Sequence, residues 1–507
     1  MKFKLVIACI CVVLSIQNSN ALAQTKVERW KIFELTLNGP KTGNPFMDVE
    51  LSADFRQAGK VVSVAGFYDG EGKYKVRFMP QFEGEWTYET KSNIKKLNGK
   101  KGKLVCTAPA PGNHGLVSVK DTFYFAYSDG TPYHPFGTTC YAWVHQGDSL
   151  GDLTVKTLSK RYFNKIRMCI FPKSYRYNKN EPKYYPFEGK PLTDWDYTRF
   201  NPAFFRNIEK RIGQLDSLGI QADLIIFHPY DRWGFKNMDA ATNDRYIRYV
   251  IARFAAYKNV WWSMANEYNL IKSKNMADWQ HYLQLFADND PYNHLRSIHN
   301  SGKVFTESPL ISHLSIQSRN VEQANDWREK LKKPVIYDEC KYEGNIERPW
   351  GSLTGRAMTD RIWVGVINGG YVGHGETLLT DDLTSSAVLW WSKGGTLKGE
   401  SPARIKFLRK IIESAPAYLT PVKSTHRNAW DVNRLSYKDE YFLEYIPYEF
   451  QPVLYNLSLP EGKKYEVDVI DTWNMTTEKL PKLYSGRKNV IPLPGKAGMA
   501  IRMVLVK

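Results

Sequence analysis

The chain has 507 residues, of which 43% are hydrophobic and 14% aromatic, and its formal net charge is +18 at pH 7. The length allows about three domains of roughly 150 residues each. The composition excludes a wholly disordered chain, a collagen and a small disulfide-held scaffold. A basic surface fits nucleic acid, anionic membranes or acidic polysaccharide. The abundant Trp and Tyr either fill cores or stack on flat ligands such as sugar rings and bases.

Residues 1–23 have the pattern of a cleaved secretory signal. Lys2 and Lys4 precede an apolar stretch over residues 5–16, and Ala21, Leu22 and Ala23 form a small-x-small cleavage site. The apolar stretch is shorter than the ~20 residues that span a bilayer. We therefore predict a secreted or periplasmic protein without an integral membrane segment.

Three regions follow the signal. Residues 24–112 alternate polar and apolar side chains in short segments separated by turn clusters, which predicts a β-sandwich. Residues 113–415 alternate eight apolar, strand-like runs with amphipathic segments, which predicts an α/β fold, a (β/α)8 TIM barrel. Strand patterning returns over residues 416–507 and predicts a small C-terminal β-sandwich.

Metal and other cofactor chemistry is not expected. Four cysteines lie beyond the signal, at Cys106, Cys140, Cys169 and Cys340, and none forms a CxxC pair that would indicate a zinc cluster. All four fall in predicted strands, which favours buried free thiols over disulfides. The histidines are scattered and form no HExxH pair. We predict no metal and no cofactor.

Two glutamates mark the candidate catalytic centre. Active residues of such barrels lie at the carboxyl ends of the strands. Glu267 follows the apolar run VWWSMAN of the fourth predicted strand, and Glu339 follows PVIYD of the seventh. Glycoside hydrolysis needs two carboxyl groups facing one cleft, because one protonates the leaving oxygen while the other attacks the anomeric carbon. The pair therefore predicts a glycoside hydrolase.

These motifs resemble those of clan A glycoside hydrolases, whose familiar members are the family 5 cellulase-like enzymes. The resemblance implies that Glu267, preceded by Asn266, is the acid/base and that Glu339 is the nucleophile. It also implies that Arg167, in KIRMCIFP, steadies the nucleophile and that His228, in IIFHP, contacts substrate. The implied mechanism is retaining, with the carboxyl groups about 5–5.5 Å apart and Asn266 hydrogen-bonding the sugar 2-hydroxyl.

The apiosidase-like branch of these enzymes is more similar still. The similarity lies in YSDGTPYHPFGTTCYAW at the barrel opening and in PVIYDECKYEG around Glu339. The segment DGEGKYKVRFMPQFEGEWTYET resembles the Ig-like domain that precedes such barrels, and the tail containing VIDTWNMT resembles their C-terminal β-domain. The apiosidase itself is expected to use Asp as its acid, where this chain has Glu267, so the resemblance does not carry apiose specificity.

Further candidates for substrate binding lie at other strand ends. They are Trp143 after strand one, His299 at strand five, Gln317 at strand six, and Trp390 and Trp391 after strand eight. The aromatic residues would stack on sugar faces, although barrel packing is an equal alternative. The pattern does not choose between Trp390 and Trp391. A long Tyr-rich segment over residues 172–199 follows strand two and favours an exo-acting pocket over an open cleft.

Two other functions stay open at this point. A non-catalytic carbohydrate-binding protein could retain the barrel and its aromatic side chains, and a polysaccharide lyase would suit the basic surface. Nucleic acid is not an expected partner, because the Lys and Arg residues are spread over all three regions rather than gathered on one face. We expect a carbohydrate substrate as the partner, and the sequence leaves the oligomeric state open.

Overall fold

The computed structural model describes residues 25–192, 194–380, 388–422 and 433–506. The predicted signal over residues 1–23 lies outside these ranges. Within them, no helix combines the length and the apolar character needed to cross a membrane. The four cysteines beyond the signal are buried free thiols, as the sequence predicts.

The N-terminal region is a β-domain whose seven strands pair in the order β1-β7-β6-β3-β4-β5-β2. Strand β4 pairs with β3 along its first half and with β5 along its second. The core lies between these two parts, where the Phe55 and Phe78 rings stack 4.0 Å apart. The elements are β1 (Thr25–Glu28), β2 (Phe33–Asn38), α1 (Pro45–Asp48), β3 (Leu51–Gln57), β4 (Lys60–Tyr68), β5 (Lys73–Phe78), β6 (Gly84–Ser92) and β7 (Lys101–Thr107).

A small antiparallel sheet closes the amino-terminal end of the barrel. Its strands are β8 (Val117–Lys120), β9 (Tyr124–Tyr127) and β10 (Pro132–Tyr133). Phe125 of this sheet packs against Trp261 and Ile336, which lie at the beginnings of two barrel strands. Because this end is filled by side chains, the opposite, carboxyl end of the barrel is the one left for a binding site.

The central region is the predicted barrel. Its strands over Lys165–Cys169, Gln221–Phe227, Val260–Ala265 and Val335–Glu339 are buried along their whole length, which explains their continuous apolar runs. The elements are β11 (Gly137–Thr139), α2 (Asp148–Leu158), β12 (Lys165–Cys169), β13 (Phe187–Lys190), β14 (Asp194–Phe200), α3 (Pro202–Ser217), β15 (Gln221–Phe227), α4 (Ala240–Phe254), β16 (Val260–Ala265), α5 (Met276–Asn289), β17 (Arg296–Ser297), β18 (Leu314–Gln317), α6 (Ala324–Leu331), β19 (Val335–Glu339), β20 (Glu343–Gly344), α7 (Gly355–Ile367), β21 (Tyr371–Val372), β22 (Glu376–Thr377), α8 (Trp390–Lys393) and α9 (Ser401–Ser414).

Two parallel sheets join to close the barrel. One contains β11, β12, β15, β16 and β17, and the other contains β18, β19 and β21. The bridge between His299 and Ser315 joins the sheets on one side, and the bridge between Thr138 and His374 joins them on the other. These eight parallel strands confirm the predicted barrel. Strands five and eight are only two residues long, which explains why their sequence signal is faint.

The C-terminal region is a second β-domain. A six-stranded sheet in the order β23-β24-β25-β30-β27-β28 faces the two-stranded sheet β26-β29, and their apolar side chains form one cluster. Tyr445 attaches this domain to the barrel by stacking on Trp363 and donating a hydrogen bond to Asp360. The strands are β23 (Thr420–Val422), β24 (Arg434–Tyr437), β25 (Tyr441–Ile446), β26 (Leu454–Leu457), β27 (Tyr465–Asp471), β28 (Thr476–Lys479), β29 (Asn489–Pro492) and β30 (Met499–Leu505).

A buried ionic network joins the N-terminal domain to the barrel. Arg77 of β5 donates to the Glu209 carboxylate of α3 at 2.6 Å. Arg253 of α4 donates to Glu209 at 2.7 Å and to Asp69 at 2.8 Å. All four side chains are buried. Buried charges of this kind depend on one another, because removal of one leaves its partners uncompensated away from water.

We predict that Arg253→Met destabilises the protein by about 3–5 kcal/mol, because Asp69 and Glu209 lose a buried partner. Thermal unfolding followed by circular dichroism would measure this as a lower midpoint. Lys303→Met is the control, since Lys303 pairs with Glu307 on the surface and exposed pairs contribute little. Equal midpoints for the two variants would contradict the structural importance of the network.

Candidate active site

A cavity of about 570 Å³ opens at the carboxyl end of the barrel strands. Its volume lies within the roughly 300–1,000 Å³ typical of small-molecule sites. Glu267, Glu339, Gln317 and Trp391 are the sequence candidates that line it. The complete described lining is Tyr141, Lys173, Tyr175, Arg176, Tyr177, Tyr230, Glu267, Gln317, Ser318, Arg319, Glu339, Lys341, Tyr342, Trp350 and Trp391.

Glu339 is the last residue of β19, and four side chains surround its carboxyl group. The Tyr141 hydroxyl donates a hydrogen bond to Oε1. The Gln317 amide donates to Oε2 at 3.3 Å. Arg167 Nη1 lies 3.5 Å from Oε1, and His299 Nε2 lies 3.4 Å from the same oxygen. Arg167 therefore occupies the place beside the candidate nucleophile that the family resemblance implies.

His299 is neutral in this site. Burial and the neighbouring Arg167 lower its pKa well below the usual value. The Ser315 hydroxyl donates to Asp338, so the His299 Nδ1, at 2.9 Å, must donate its proton to the Ser315 oxygen. The Nε2 atom then carries a lone pair toward Glu339. This lone pair favours a protonated Glu339 carboxyl over an ionised one.

Burial raises the pKa of Glu339 to about 7. A nucleophile needs partners that keep it ionised. Tyr342 lowers this pKa, and Tyr141, Gln317 and Arg167 also face the carboxyl group, but burial outweighs them. Burial therefore moves the titration of Glu339 into the neutral pH range.

Glu267 follows β16 and takes a left-handed backbone conformation, with φ of 49°. Few residues other than Gly or Asn adopt this conformation, which is found where the surrounding structure enforces it, often at functional sites. The Tyr230 hydroxyl donates to Glu267 Oε2, and Asn266 Nδ2 lies 3.2 Å from the same oxygen. The carboxyl group is thus held between two neighbours while it lines the cavity.

Asn266 lies beneath the cavity and connects the two glutamates. Its Oδ1 accepts a hydrogen bond from Arg167 at 2.8 Å and lies 3.1 Å from the Tyr141 hydroxyl that also contacts Glu339. Its Nδ2 contacts Glu267. Asn266, Arg167 and His299 are all buried and do not line the cavity in the empty protein. They contact the two carboxyl groups rather than the space for substrate.

The structure does not bring Trp143 or His228 to the cavity. Trp143 is fully buried, and its indole N–H points to Met168 Sδ at 3.1 Å. His228 Nε2 donates to the Phe171 carbonyl at 3.1 Å, and burial lowers its pKa to about 3. Both residues therefore stabilise the barrel near its strand ends. Both residues follow a barrel strand, as the sequence predicts, but their side chains point into the protein interior.

The structure also chooses between the two adjacent tryptophans of α8. Trp390 is buried in the barrel, where its indole N–H donates to Thr138 at 2.9 Å. Trp391 lines the cavity and packs against Tyr141 and Tyr177. Only Trp391 is therefore placed to stack on a ligand.

Most of the aromatic lining was not predicted residue by residue. Tyr141 lies just after β11, and Lys173 and Tyr175 lie just after β12. The rule that strand ends carry the site applies to these residues as well. Their location after a barrel strand could have identified these residues as candidates, but it does not show which side chains of a loop face the cavity. No cluster of three or more His, Cys, Asp or Glu side chains suited to a metal ion occurs in the described ranges.

Comparison with known proteins decides the family. The model of the apiosidase-like catalytic domain matches residues 119–417. The chain belongs to the apiosidase-like family. Two domains of unknown function match on either side, DUF5060 over residues 26–93 and DUF5605 over residues 430–504. The protein is thus an apiosidase-like enzyme, a glycoside hydrolase by family, with a β-rich domain on each side of its barrel.

Solved structures share this arrangement. A protein from Bacteroides vulgatus ATCC 8482, described provisionally as a glycoside hydrolase, is 39% identical, with a TM-score of 0.90, over 95% of this chain and 100% of that one. A family 5 glycoside hydrolase from the same organism is 14% identical, with a TM-score of 0.60, over 78% of this chain and 94% of that one. The second likeness shows the fold alone. A search of curated proteins gave no match.

The apiosidase-like stretch PVIYDECKYEG contains a second glutamate with a different role. Glu343 does not line the cavity. Its carboxylate accepts hydrogen bonds from the backbone N–H groups of Glu400 and Ser401, at 2.6 Å and 3.1 Å. These groups lie at the start of α9, where backbone donors lack partners within the helix. Glu343 thus fastens α9 to the segment after Glu339, and Glu339 alone in this stretch carries a carboxyl group to the cavity.

We predict that Trp391→Ala raises KM roughly two- to tenfold, the loss expected for an aromatic contact with a ligand. Trp390→Ala is the matched variant, and it should cost about 3–5 kcal/mol of stability because it empties a buried site. Steady-state kinetics on an aryl glycoside that the parent hydrolyses, with thermal unfolding of both variants, would separate the two effects. An unchanged KM for Trp391→Ala at full stability would exclude stacking.

Proposed function

We propose that this apiosidase-like protein cleaves glycosidic bonds in poly- or oligosaccharides by a retaining mechanism. The observation that carries the proposal is the placement of two glutamates, from the fourth and seventh barrel strands, in the lining of one cavity. Arg167 and Asn266 connect their carboxyl groups in a single hydrogen-bonded chain. Two carboxyl groups at one sugar-sized site are the requirement of this chemistry.

Glu339 acts as the nucleophile in the first step. Its carboxylate oxygen forms a bond to the anomeric carbon while the bond from that carbon to the leaving oxygen breaks. The Glu267 carboxyl group gives its proton to the leaving oxygen. Three side chains favour the ionised form of the Glu339 carboxyl group: Arg167 through its positive charge, and Tyr141 and Gln317 through hydrogen bonds. They favour it before the attack, and again when the carboxylate leaves the anomeric carbon.

Glu267 changes role in the second step. Its carboxylate takes a proton from a water molecule, whose oxygen attacks the anomeric carbon, and the bond from that carbon to Glu339 breaks. Two inversions restore the original anomeric configuration. Because the same group acts as acid and then as base, Glu267 must exchange its proton once per cycle. The Tyr230 hydroxyl and Asn266 hold that carboxyl group in place through both steps.

Exo action and export complete the proposal. Tyr175, Arg176 and Tyr177, from the long segment after β12, line the cavity, and this supports a wall at one end of the site. Release of a single terminal unit from end-labelled oligosaccharides would support exo action, whereas a ladder of internal fragments would contradict it.

The signal pattern over residues 1–23 supports export, and N-terminal sequencing of the protein from its own host would test the cleavage site.

We predict that kcat/KM falls as the pH drops below about 7. The ratio reports ionisation in the free enzyme, and Glu339 must be ionised to attack, while burial raises its pKa to about 7. Tyr141→Phe removes a hydrogen bond that favours the carboxylate, so it should move this acid limb to higher pH. Tyr337→Phe is the control, because its hydroxyl donates to the Asn320 carbonyl and does not line the cavity. Coincident profiles for the two variants would exclude Tyr141 from this role.

We predict that Glu339→Gln abolishes hydrolysis and that Glu267→Gln slows it about 10²–10⁴-fold on natural linkages. For Glu267→Gln, the loss should be much smaller with dinitrophenyl glycosides, because their leaving group departs without a proton. Screening plant and algal oligosaccharides together with aryl β-glycosides would supply the substrate.

Proton NMR of the first product gives the stereochemical outcome. Retained anomeric configuration supports the mechanism, and inverted configuration overturns it. Unsaturated uronide products, detected by their ultraviolet absorbance, would instead identify a lyase. Full activity of Glu339→Gln would remove Glu339 from catalysis. Glu343→Gln is a useful comparison, since it should reduce stability through α9 rather than alter the chemical step.

A further inference from the structure

Lys173 is a buried cation in the cavity wall. It follows β12, is 2% exposed and lines the cavity. Aromatic rings surround its ammonium group. The Nζ atom lies 3.2 Å from the centre of the Tyr141 ring, 4.4 Å from Tyr230, 4.6 Å from Tyr175 and 5.7 Å from Trp391. The faces of these rings carry negative charge density that attracts a cation.

This ammonium group lacks an acceptor. Within the described ranges, no oxygen accepts a hydrogen bond from Lys173 Nζ, and the charge of Glu267 acts on it only from beyond ion-pair distance. Burial lowers its pKa to about 8, so Lys173 is still mainly charged at neutral pH. An ammonium group has three donor hydrogens, and Lys173 is in the cavity wall, within reach of a bound ligand. A ligand in the cavity would supply the acceptor that the protein does not.

The charge around the cavity indicates the kind of acceptor. The described lining of the cavity contains more cationic than anionic side chains. The cations are Lys173, Arg176, Arg319 and Lys341, and the carboxylates are Glu267 and Glu339. Arg176 pairs with Glu347, which lies outside that lining. A neutral hydroxyl would accept one hydrogen bond and leave the excess positive charge in place. An anionic group satisfies both the donors and the charge.

We propose that the cavity takes a sugar bearing an anionic group, a carboxylate or a sulfate, and that Lys173 binds that group. That the ligand is a sugar rests on the proposed function. That it carries an anionic group rests on Lys173 and on the positive charge of the cavity lining. A lysine ammonium is a compact charge with rotatable donors, so it accepts either anion without a fixed fork geometry. Lys173 is thus a specificity-determining residue of the same site, separate from the two glutamates.

Binding tests the proposal independently of turnover. In a Glu267→Gln background, which slows hydrolysis, tryptophan fluorescence would be titrated with uronic-acid oligosaccharides from plant and algal polysaccharides. The matched probes are the same oligosaccharides after reduction of their carboxylates to alcohols. Sulfated oligosaccharides and their desulfated counterparts form the second arm. Trp350 and Trp391 line the cavity and report occupancy.

We predict that one anionic set binds at least about tenfold more tightly than its neutral counterpart, as expected for a charge-assisted hydrogen bond. Lys173→Met should abolish that preference while leaving the binding of neutral probes unchanged. Lys101→Met is the control, because it removes the same charge from the exposed surface of the N-terminal domain. The arm that shows the preference identifies the anion as carboxylate or sulfate.

The proposal is overturned if neither anionic set binds more tightly than its neutral counterpart, or if Lys173→Met retains the preference. If circular dichroism shows that Lys173→Met does not fold, Arg319→Gln on the exposed rim is the second variant. We expect it to reduce the preference for the anionic probes less than Lys173→Met would. An unchanged preference would count against the proposal. Anion-dependent binding without hydrolysis by the parent protein would support the role of Lys173 and reject the proposed function, so the two failures are distinguishable.

Discussion

Burial of the Glu339 carboxyl group at the carboxyl end of the barrel is the constraint on which the site depends. An ionised carboxylate without water needs donors, and Tyr141, Gln317 and Arg167 provide them from three different strands or strand ends. Burial still prevails and raises the pKa of Glu339 to about 7. Under the proposed mechanism, the loss of solvation that raises the pKa of Glu339 also makes its carboxylate a stronger nucleophile.

The polar layer beneath the cavity fixes the geometry around this carboxyl group. Lys165 forms ion pairs with Asp223 and Asp338 inside the barrel. Asp338 accepts a hydrogen bond from Ser315, which in turn orients His299 beside Glu339. Each group in this layer depends on its neighbour for a partner, because none has access to solvent. The barrel therefore supports the two glutamates through a connected set of buried polar contacts rather than through apolar packing alone.

Aromatic rings give the cavity a second property. Tyr141, Tyr175, Tyr230 and Trp391 exclude water and also surround Lys173. Tyr141 belongs to both arrangements, since its hydroxyl contacts Glu339 while its ring faces the Lys173 ammonium group. The proposed anion site and the proposed nucleophile therefore share a side chain. The flanking β-domains leave this end of the barrel open and attach to its helices, through Arg77 and Glu209 on one side and through Tyr445 on the other.

The sequence by itself determined the barrel, its β-rich neighbours and the two glutamates. Buried parallel strands require continuous apolar runs, and alternation with helices fixes which strand ends meet, so Glu267 and Glu339 could be placed without coordinates. Only the tertiary structure decided which side chains near those ends face the cavity. Trp390 and Trp391 are adjacent in sequence yet point to the core and to the cavity, and Trp143 and His228 turn inward whereas Lys173 lines the site. The reason is physical: strand periodicity dictates side-chain direction only within a strand, and beyond its end direction is set by packing between segments distant in sequence.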